Sequence, residues 1–547
     1  MNFSEIITKL TADTLDSLPL FSPELSIVAA IVALLLVRLF DADKRFPGSV
    51  VAIIGTVLAL GLAALQFKDL RDGTAESAPM FTGLLLYDPF TVYFRIFLLL
   101  FLLFVEWLTI ISGIPDQEDA PDFYVLLLGS TLGMMLMASA NHLLMIFLAV
   151  EMTSVPSYAM VGFLKGRRTS SEAALKYVVY GAGAAGVMLY GISLLAGLLG
   201  TAQLSSAGHL PSIAQALVEF GKHHSGFDPS VRTLALGILM VLVGVAFKLS
   251  LFPFHFWCPD AFEGAAAEVA GFLSVASKGA AFALLVRFCL ALVGETTTAG
   301  SPLSELYMNV GVGLGIIAAV TATFGNLAAY TQSNIKRLLA YSTIAHAGYM
   351  LMAVSAMMIV LNAPSNEAAT GAARVLSAQN CILGLLYYLA VYFFMNLGAF
   401  AIVALIRNQI YSEEIADYAG LIRQSPPLAV GMLVCMFSLI GMPPFGGFMG
   451  KFMVFYSVVE AARFHPVMWA ILAAGLANTV LSLFYYLRVL KFMFLAPLPE
   501  EARPVDVKLF SDAGGYVAVV SAMVLLLGLL VDPISYTVTN NVARWLF

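Results

Sequence analysis

About fourteen stretches of roughly 20 apolar residues, the length that crosses a bilayer as a helix, follow one another along this chain. A backbone in hydrocarbon must satisfy its own N–H and C=O groups, so each stretch is confined to a spanning helix. Composition agrees: 60% of the 547 residues are hydrophobic and 11% are charged, against roughly one quarter charged in a soluble domain. The chain therefore reads as an all-α polytopic membrane protein. The spans fall near Glu24 to Phe40, Ser49 to Phe67, Phe90 to Gly113, Phe123 to Ala138, His142 to Phe163, Lys176 to Leu199 and Thr233 to Leu251. The rest fall near Ala265 to Gly294, Asn309 to Leu327, Ile335 to Val360, Ala378 to Ile406, Leu428 to Val458, Val467 to Leu490 and Gly515 to Val531. Residues before Phe21 read as a short amphipathic lead-in, without the basic start and A-x-A site of a secretory signal.

Two spans are interrupted. In Phe247 to Phe262, FKLSLFPFHFWCPDAF, Lys248 lies in an apolar run that Pro253 breaks. In Ser438 to Phe455, SLIGMPPFGGFMGKFMVF, Pro443 and Pro444 break the helix and Lys451 follows. A charge in hydrocarbon costs a few kcal/mol on insertion scales, so such residues line internal pathways. The broken spans are the seventh and twelfth, so a unit of five helices starting at the fourth repeats from the ninth. Five is odd, so the second unit enters from the opposite side, giving two inverted five-helix repeats, each with a broken helix. The expected division is 1-113 for the lead-in and helices 1 to 3, 121-295 and 305-495 for the repeats, and 510-547 for the last helix.

Lysine and arginine in short loops set orientation. One side collects Arg38, Lys44, Arg45, Lys165, Arg167, Arg168, Lys336, Arg337, Arg407, Arg423, Arg488, Lys491, Arg503 and Lys508; the other collects Lys9, Lys68, Arg71, Lys222, Arg232, Arg374, Arg463 and Arg544. The richer side is expected inside, with both termini outside. The net charge of -6 is spread over loops and gives no sign of nucleic-acid binding. Cys258, Cys289, Cys381 and Cys435 are isolated, with no C-x-x-C spacing to hold zinc or an iron–sulfur cluster.

Few ionisable groups remain within spans: Arg95, Glu106, Glu151, Lys176, Lys248, Lys278, Arg287, His346 and Lys451. Glu151, inside LMIFLAVEMTSVPSY, needs a nearby cation or a raised pKa, and Lys248 is its natural partner. Desolvation and a carboxylate neighbour act in opposite senses on a lysine's proton affinity, which is what a proton relay requires. Lys248, Lys278, His346 and Lys451 then form a lateral polar row linked by water. The plainer reading is a set of structural ion pairs, and for Arg95 with Glu106 anchoring is expected. Lys176 lies near a span end and either snorkels or joins the relay; Arg287 has no assigned role. Gly181, Gly183 and Gly186 match G-x-G-x-x-G by letter but follow no strand, so they are expected to serve close helix packing rather than dinucleotide binding.

The segment from Phe247 to Arg287, FKLSLFPFHFWCPDAFEGAAAEVAGFLSVASKGAAFALLVR, resembles the proton-channel signature of the antiporter-like membrane subunits of respiratory complex I. So do Glu172-Ala-Ala-Leu-Lys176-Tyr177, the run from Asn334 through Lys336, Arg337, Tyr341 and Ser342 to Tyr349, and Asp417-Tyr-Ala-Gly-Leu421. The resemblance covers roughly residues 85 to 495. Asp260-Ala-Phe262-Glu263-Gly264 sets the chain apart from branches, and from stand-alone antiporters, that carry histidine after the Asp-Ala pair. Lys451 sets it apart from the branch that carries glutamate there, and no long lateral helix follows the last span. Ala266 departs from the proline often found in the family, Glu268 adds a charge, and the loop from Gly200 to Arg232 is long.

The resemblance implies a proton-translocating subunit. It makes Glu151 the acid beside Lys248, Lys278 the central relay, His346 a polar relay on the tenth span, Lys451 the terminal lysine and Lys176 a matching lysine of the sixth. It also implies that flavin mononucleotide, iron–sulfur clusters and quinone belong to partner subunits, with no cofactor or metal in this chain. The expected surroundings are other complex I membrane subunits and the lipid bilayer of a bacterial inner membrane. The rival functions are a gradient-driven cation/proton antiporter subunit and a scaffold whose buried charges only hold helices together.

Overall fold

The computed structural model describes residues 3–41, 46–116, 119–206, 211–224, 228–293, 303–363, 371–500 and 503–546, with side chains at all of these except 3–6, 533–534 and 539–540. Lys44 and Arg45, counted above among the loop charges, lie outside the described residues.

In chain order come α1 (Phe3–Ser17), α2 (Ser22–Leu39), α3 (Gly48–Arg71), a hairpin of β1 (Ala78–Met80) and β2 (Leu85–Tyr87), α4 (Pro89–Ser112), α5 (Ala120–Ser139) and α6 (Leu143–Val161). Then follow α7 (Arg168–Leu199), α8 (Ile213–His223), α9 (Pro229–Leu249), α10 (Trp257–Gly264), α11 (Ala267–Phe272), a π-helical turn over Leu273–Ser277, and α12 (Lys278–Val293). The remainder is α13 (Ser304–Ala329), α14 (Ile335–Asn362), α15 (Gly371–Ile410), α16 (Leu421–Gln424), α17 (Pro426–Ile440), α18 (Gly446–Ala462), α19 (Val467–Leu495), α20 (Asp512–Leu529) and α21 (Val531–Asn541).

Among the described residues, 13 helices are long and apolar enough to cross a membrane, counting Ala267–Val293 as one. The expected twelfth span is absent from that set because it is split. Its halves α17 and α18 have 15 and 17 residues, and only together do they reach the thickness of the hydrocarbon core. The α1 lead-in is tied down where Ser17 Oγ and Asp13 Oδ2 accept the backbone N–H groups of Phe81 and Thr82 in the hairpin.

Burial sorts the helices. Every residue of the apolar windows of Ala267–Val293 and Ile335–Asn362 is buried, and 94% for Gly371–Ile410, against 28% for α2 and α3. The centre of the molecule is therefore α11/α12, α14 and α15, and the outer helices leave leucine and valine faces for lipid. Lys278, Lys336 and His346 are among the buried polar groups on these central helices, while Arg95, Glu106, Lys248 and Lys451 are buried on helices around them.

The glycine motif in α7 does not act as one packing stripe. A side chain at Gly181 would run into the Tyr158 ring of α6, whereas Gly183 and Gly186 have open space in front of them.

Candidate functional site

A helix that stops inside a membrane leaves carbonyls that need donors. Both interrupted spans solve this alike. Ser250 ends α9 with φ 57° and Gly441 ends α17 with φ 90°, both left-handed. Past each, an N–H reaches back five residues, Leu251 to Ala246 at 2.9 Å and Met442 to Phe437 at 3.0 Å, the bond pattern of a Schellman cap. Only glycine takes φ 90° without strain, and a side chain at Gly447 would meet the Ser438 carbonyl.

The carbonyls left over are answered by side chains. In the first break the Phe247 carbonyl accepts from Trp257 Nε1 at 3.1 Å and the Leu249 carbonyl accepts from Lys278 Nζ at 2.8 Å. In the second, Lys451 Nζ donates to the carbonyls of Leu439 and Ile440 at 3.0 and 2.9 Å. A cation at a helix C-terminus also meets the negative end of the dipole. Lys278 comes from the next spanning helix, whereas Lys451 comes from the second half of its own.

Lys248 is 1% exposed, and its Nζ donates to Ser154 Oγ at 2.9 Å. Ser154 lies three residues beyond Glu151 on α6, so the expected Glu151 and Lys248 partnership takes the form of a charge interaction through space, with the serine in contact. Lys278 has Cys258 as a charge-sensitive neighbour, and Cys258 Sγ sits 3.9 Å from Thr343 Oγ1 on α14.

One turn along α14, His346 is 1% exposed. Its Nδ1 lies 2.6 Å from Tyr388 Oη and its Nε2 3.2 Å from Tyr486 Oη. A neutral imidazole donates through one nitrogen and accepts through the other, so both tautomers find a partner. Tyr486 Oη in turn bonds Ser342 Oγ. Tyr349 lies 5.8 Å from the imidazole, ring to ring, and Lys451 Nζ stands 4.6 Å from the Tyr349 centroid. Lys248, Lys278, His346 and Lys451 are thus brought into one buried region, with hydroxyls, rings and carbonyls between them.

Lys176 lies elsewhere. Its side chain is 41% exposed and pairs with Glu172 at 3.0 Å and Asp260 at 2.8 Å. Asp260 also binds Arg337 at 2.6 Å, and Arg337 binds Glu263 at 2.6 Å. Lys176 therefore belongs to a half-exposed ion network on the loop side. Lys336, placed by sequence in a loop, is 1% exposed and pairs with Glu413 at 2.9 Å.

The anchoring groups rearrange as well. Arg95 pairs with Glu24 at 2.7 Å, not Glu106, and donates to Gln66 Oε1 and the Leu20 carbonyl. Glu106 accepts from Thr56 Oγ1 at 2.8 Å. Arg287 bonds Asp88 at 2.8 and 3.0 Å and also reaches the Ala138 carbonyl and Thr91. Sequence reasoning missed Tyr349, Tyr388 and Tyr486; the signal available was the recurrence of tyrosine inside spans.

Among the described residues no group of three or more histidine, cysteine, aspartate or glutamate side chains is placed to hold a metal. The four cysteines are free and buried.

Fold and site together define a multi-pass helical membrane protein with two interrupted helices whose ends are capped by buried lysines. A family model described as NADH:quinone oxidoreductase/Mrp antiporter, transmembrane, matches residues 140–363 and 371–482. The NADH-quinone oxidoreductase subunit N of Anaeromyxobacter sp. is 37% identical, covering 92% of this chain and 93% of that one. A subunit N of Chloroherpeton thalassium is 34% identical, covering 95% and 94%. A chain of respiratory complex I from Thermus thermophilus superposes with a TM-score of 0.70 at 30% identity, covering 94% of this chain and 98% of that one. A chain of the Mrp complex from a Dietzia species shares the fold at a TM-score of 0.73, with 17% identity over 97% and 99%. The chain belongs to the NADH:quinone oxidoreductase/Mrp antiporter membrane-subunit family, and within it to the N-subunit group of NADH-quinone oxidoreductases.

Proposed function

We propose that this chain carries protons through the membrane arm of an NADH-quinone oxidoreductase, along Glu151, Lys248, Lys278, His346 and Lys451. The observation that carries the reading is the paired arrangement of Lys278 and Lys451 on the carbonyl ends of two interrupted helices, with His346 and its tyrosines between them. A lysine that releases its proton weakens its hold on such a helix end, so protonation and helix position are coupled. Lys176 stands at the loop side as a surface charge of the same pathway.

Each charge moved against the membrane potential costs about 2.3 kcal/mol per 100 mV, so an energy source is needed. The redox chemistry, with flavin mononucleotide, iron–sulfur clusters and quinone, falls to partner subunits, and neighbouring membrane subunits cover part of this chain's surface. In this reading 121-295 and 305-495 are inverted units, and the chain sits in a bacterial inner membrane with both termini outside.

Affinity purification of the tagged chain from its native membrane tests the assignment. Co-purification with flavin- and iron–sulfur-bearing subunits and NADH oxidation supports it. Isolation in a complex with gradient-driven cation/proton exchange and no NADH oxidation makes the chain an antiporter subunit instead.

A further inference from the structure

A buried carboxylate on the central helices stands outside the row. Glu268, on α11, is 1% exposed, and its Oε1 has no hydrogen-bond partner. A carboxylate oxygen without a partner in a dry interior is strongly disfavoured unless the acid is protonated or reached by water. Its charged neighbours are Lys336 and Arg407, and Ser112 is its side-chain hydrogen-bond neighbour. Those cations do not need it, because Glu413 already pairs with Lys336 at 2.9 Å and meets Arg407 at 3.8 Å. Glu413 is 17% exposed, so this cluster opens to the loop side.

Inward from Glu268 the π-helical turn brings in Ser274, whose Oγ accepts from Asn396 Nδ2 at 2.5 Å. Asn396 and Tyr392 share a face of α15, one turn apart. Both are fully buried, and Asn396 Oδ1 and Tyr392 Oη have no partner. Tyr392 lies 5.2 Å from His346, ring to ring. Three unsatisfied buried oxygens therefore mark a line from the loop side to His346, and buried groups of this kind are ordinarily bridged by water.

We propose that Glu268 is a proton-loading carboxylate which feeds the row from the loop side through Ser274, Asn396 and Tyr392. The inference rests on the proposed function. A hydronium proton at the Glu413 rim forms an O–H bond on Glu268, releasing water, and that bond breaks as the proton passes through bridging waters along the Ser274 and Tyr392 hydroxyls to His346, with the Asn396 amide holding those waters in place. No electrons are exchanged.

The test is proton translocation by the assembled complex in sealed vesicles, driven by NADH, with Glu268→Gln, Glu268→Asp and Asn396→Leu. Glu268→Gln keeps shape and hydrogen bonding but carries no proton, and a loss of about tenfold is expected, the lower reach of a lost proton-transfer group. Glu268→Asp is expected to restore most of the flux, and a turnover-dependent carboxyl infrared band is expected to vanish in Glu268→Gln alone. Full flux with an unchanged infrared spectrum in Glu268→Gln overturns the proposal. Should that variant fail to assemble, Asn396→Leu decides: slowed flux supports the line and unchanged flux removes it. Lys278→Met serves as the reference. Its loss of flux beside a normal Glu268→Gln rejects the loading role alone, whereas unchanged flux in both rejects the underlying function.

Discussion

Lys278 Nζ ends 2.8 Å from the carbonyl oxygen of Leu249, the residue next to Lys248. The central lysine of the row therefore holds the very helix end on which the preceding lysine is mounted. Whatever changes the charge of one alters the position or field of the other.

Lys278→Met keeps the aliphatic stem and removes the donor. The Leu249 carbonyl then lies buried without it, at a cost of about 1–3 kcal/mol. The expected outcome is a complex that melts earlier and translocates few protons. Melting and NADH-driven acidification, measured on one preparation, check both parts.

Tyr388→Phe and Tyr486→Phe each remove one hydroxyl partner of His346 while keeping the ring. Either alone leaves the imidazole one partner and is expected to slow proton flux modestly. The double variant isolates His346 and is expected to cost about tenfold, near the lower bound for losing a proton-transfer group. Equal flux in all three takes His346 out of the row.

How much of this was legible in the sequence follows from what periodicity can encode. Apolar length gave the spans, and Pro253, Pro443 and Pro444 with their neighbouring lysines gave both breaks, because each signal is local. Which charges meet across helices is not local. Arg95 finds Glu24, 71 residues away, and only packing decides between that acid and Glu106. Tyr388 and Tyr486 count as apolar within a span, so their hydroxyls stand out only through the recurrence of tyrosine there. Lys336 reads as a loop charge by position, yet Glu413 folds over it and buries it.

The Arg95 and Glu24 pair is fully buried, at 0% exposure on both sides. Removing one partner strands the other charge, at a cost of about 3–5 kcal/mol. Glu24→Gln and Arg95→Leu are therefore expected to lower the yield of assembled complex while leaving flux per assembled complex unchanged. Quantitative blotting set against vesicle acidification separates the two effects.

Gly447 is the point of closest approach in the second break, where a Cβ would collide with the Ser438 carbonyl. Gly447→Val must push the half-helices apart, and such overpacking costs about 1–3 kcal/mol. Lys451 then loses its grip on Leu439 and Ile440, so both stability and flux are expected to fall. A variant with normal melting and normal flux contradicts the close packing of the break.

The most direct measurement is NADH-driven proton pumping in membrane vesicles carrying Lys248→Ala, with assembly of the complex verified in the same preparation. Lys248 is buried and reaches Ser154 with Glu151 one turn away, so its loss removes the first lysine of the row. A large fall in quinone-coupled pumping with the complex intact is the result expected. Pumping at the parental rate would make the buried lysines helix fasteners and contradict the relay.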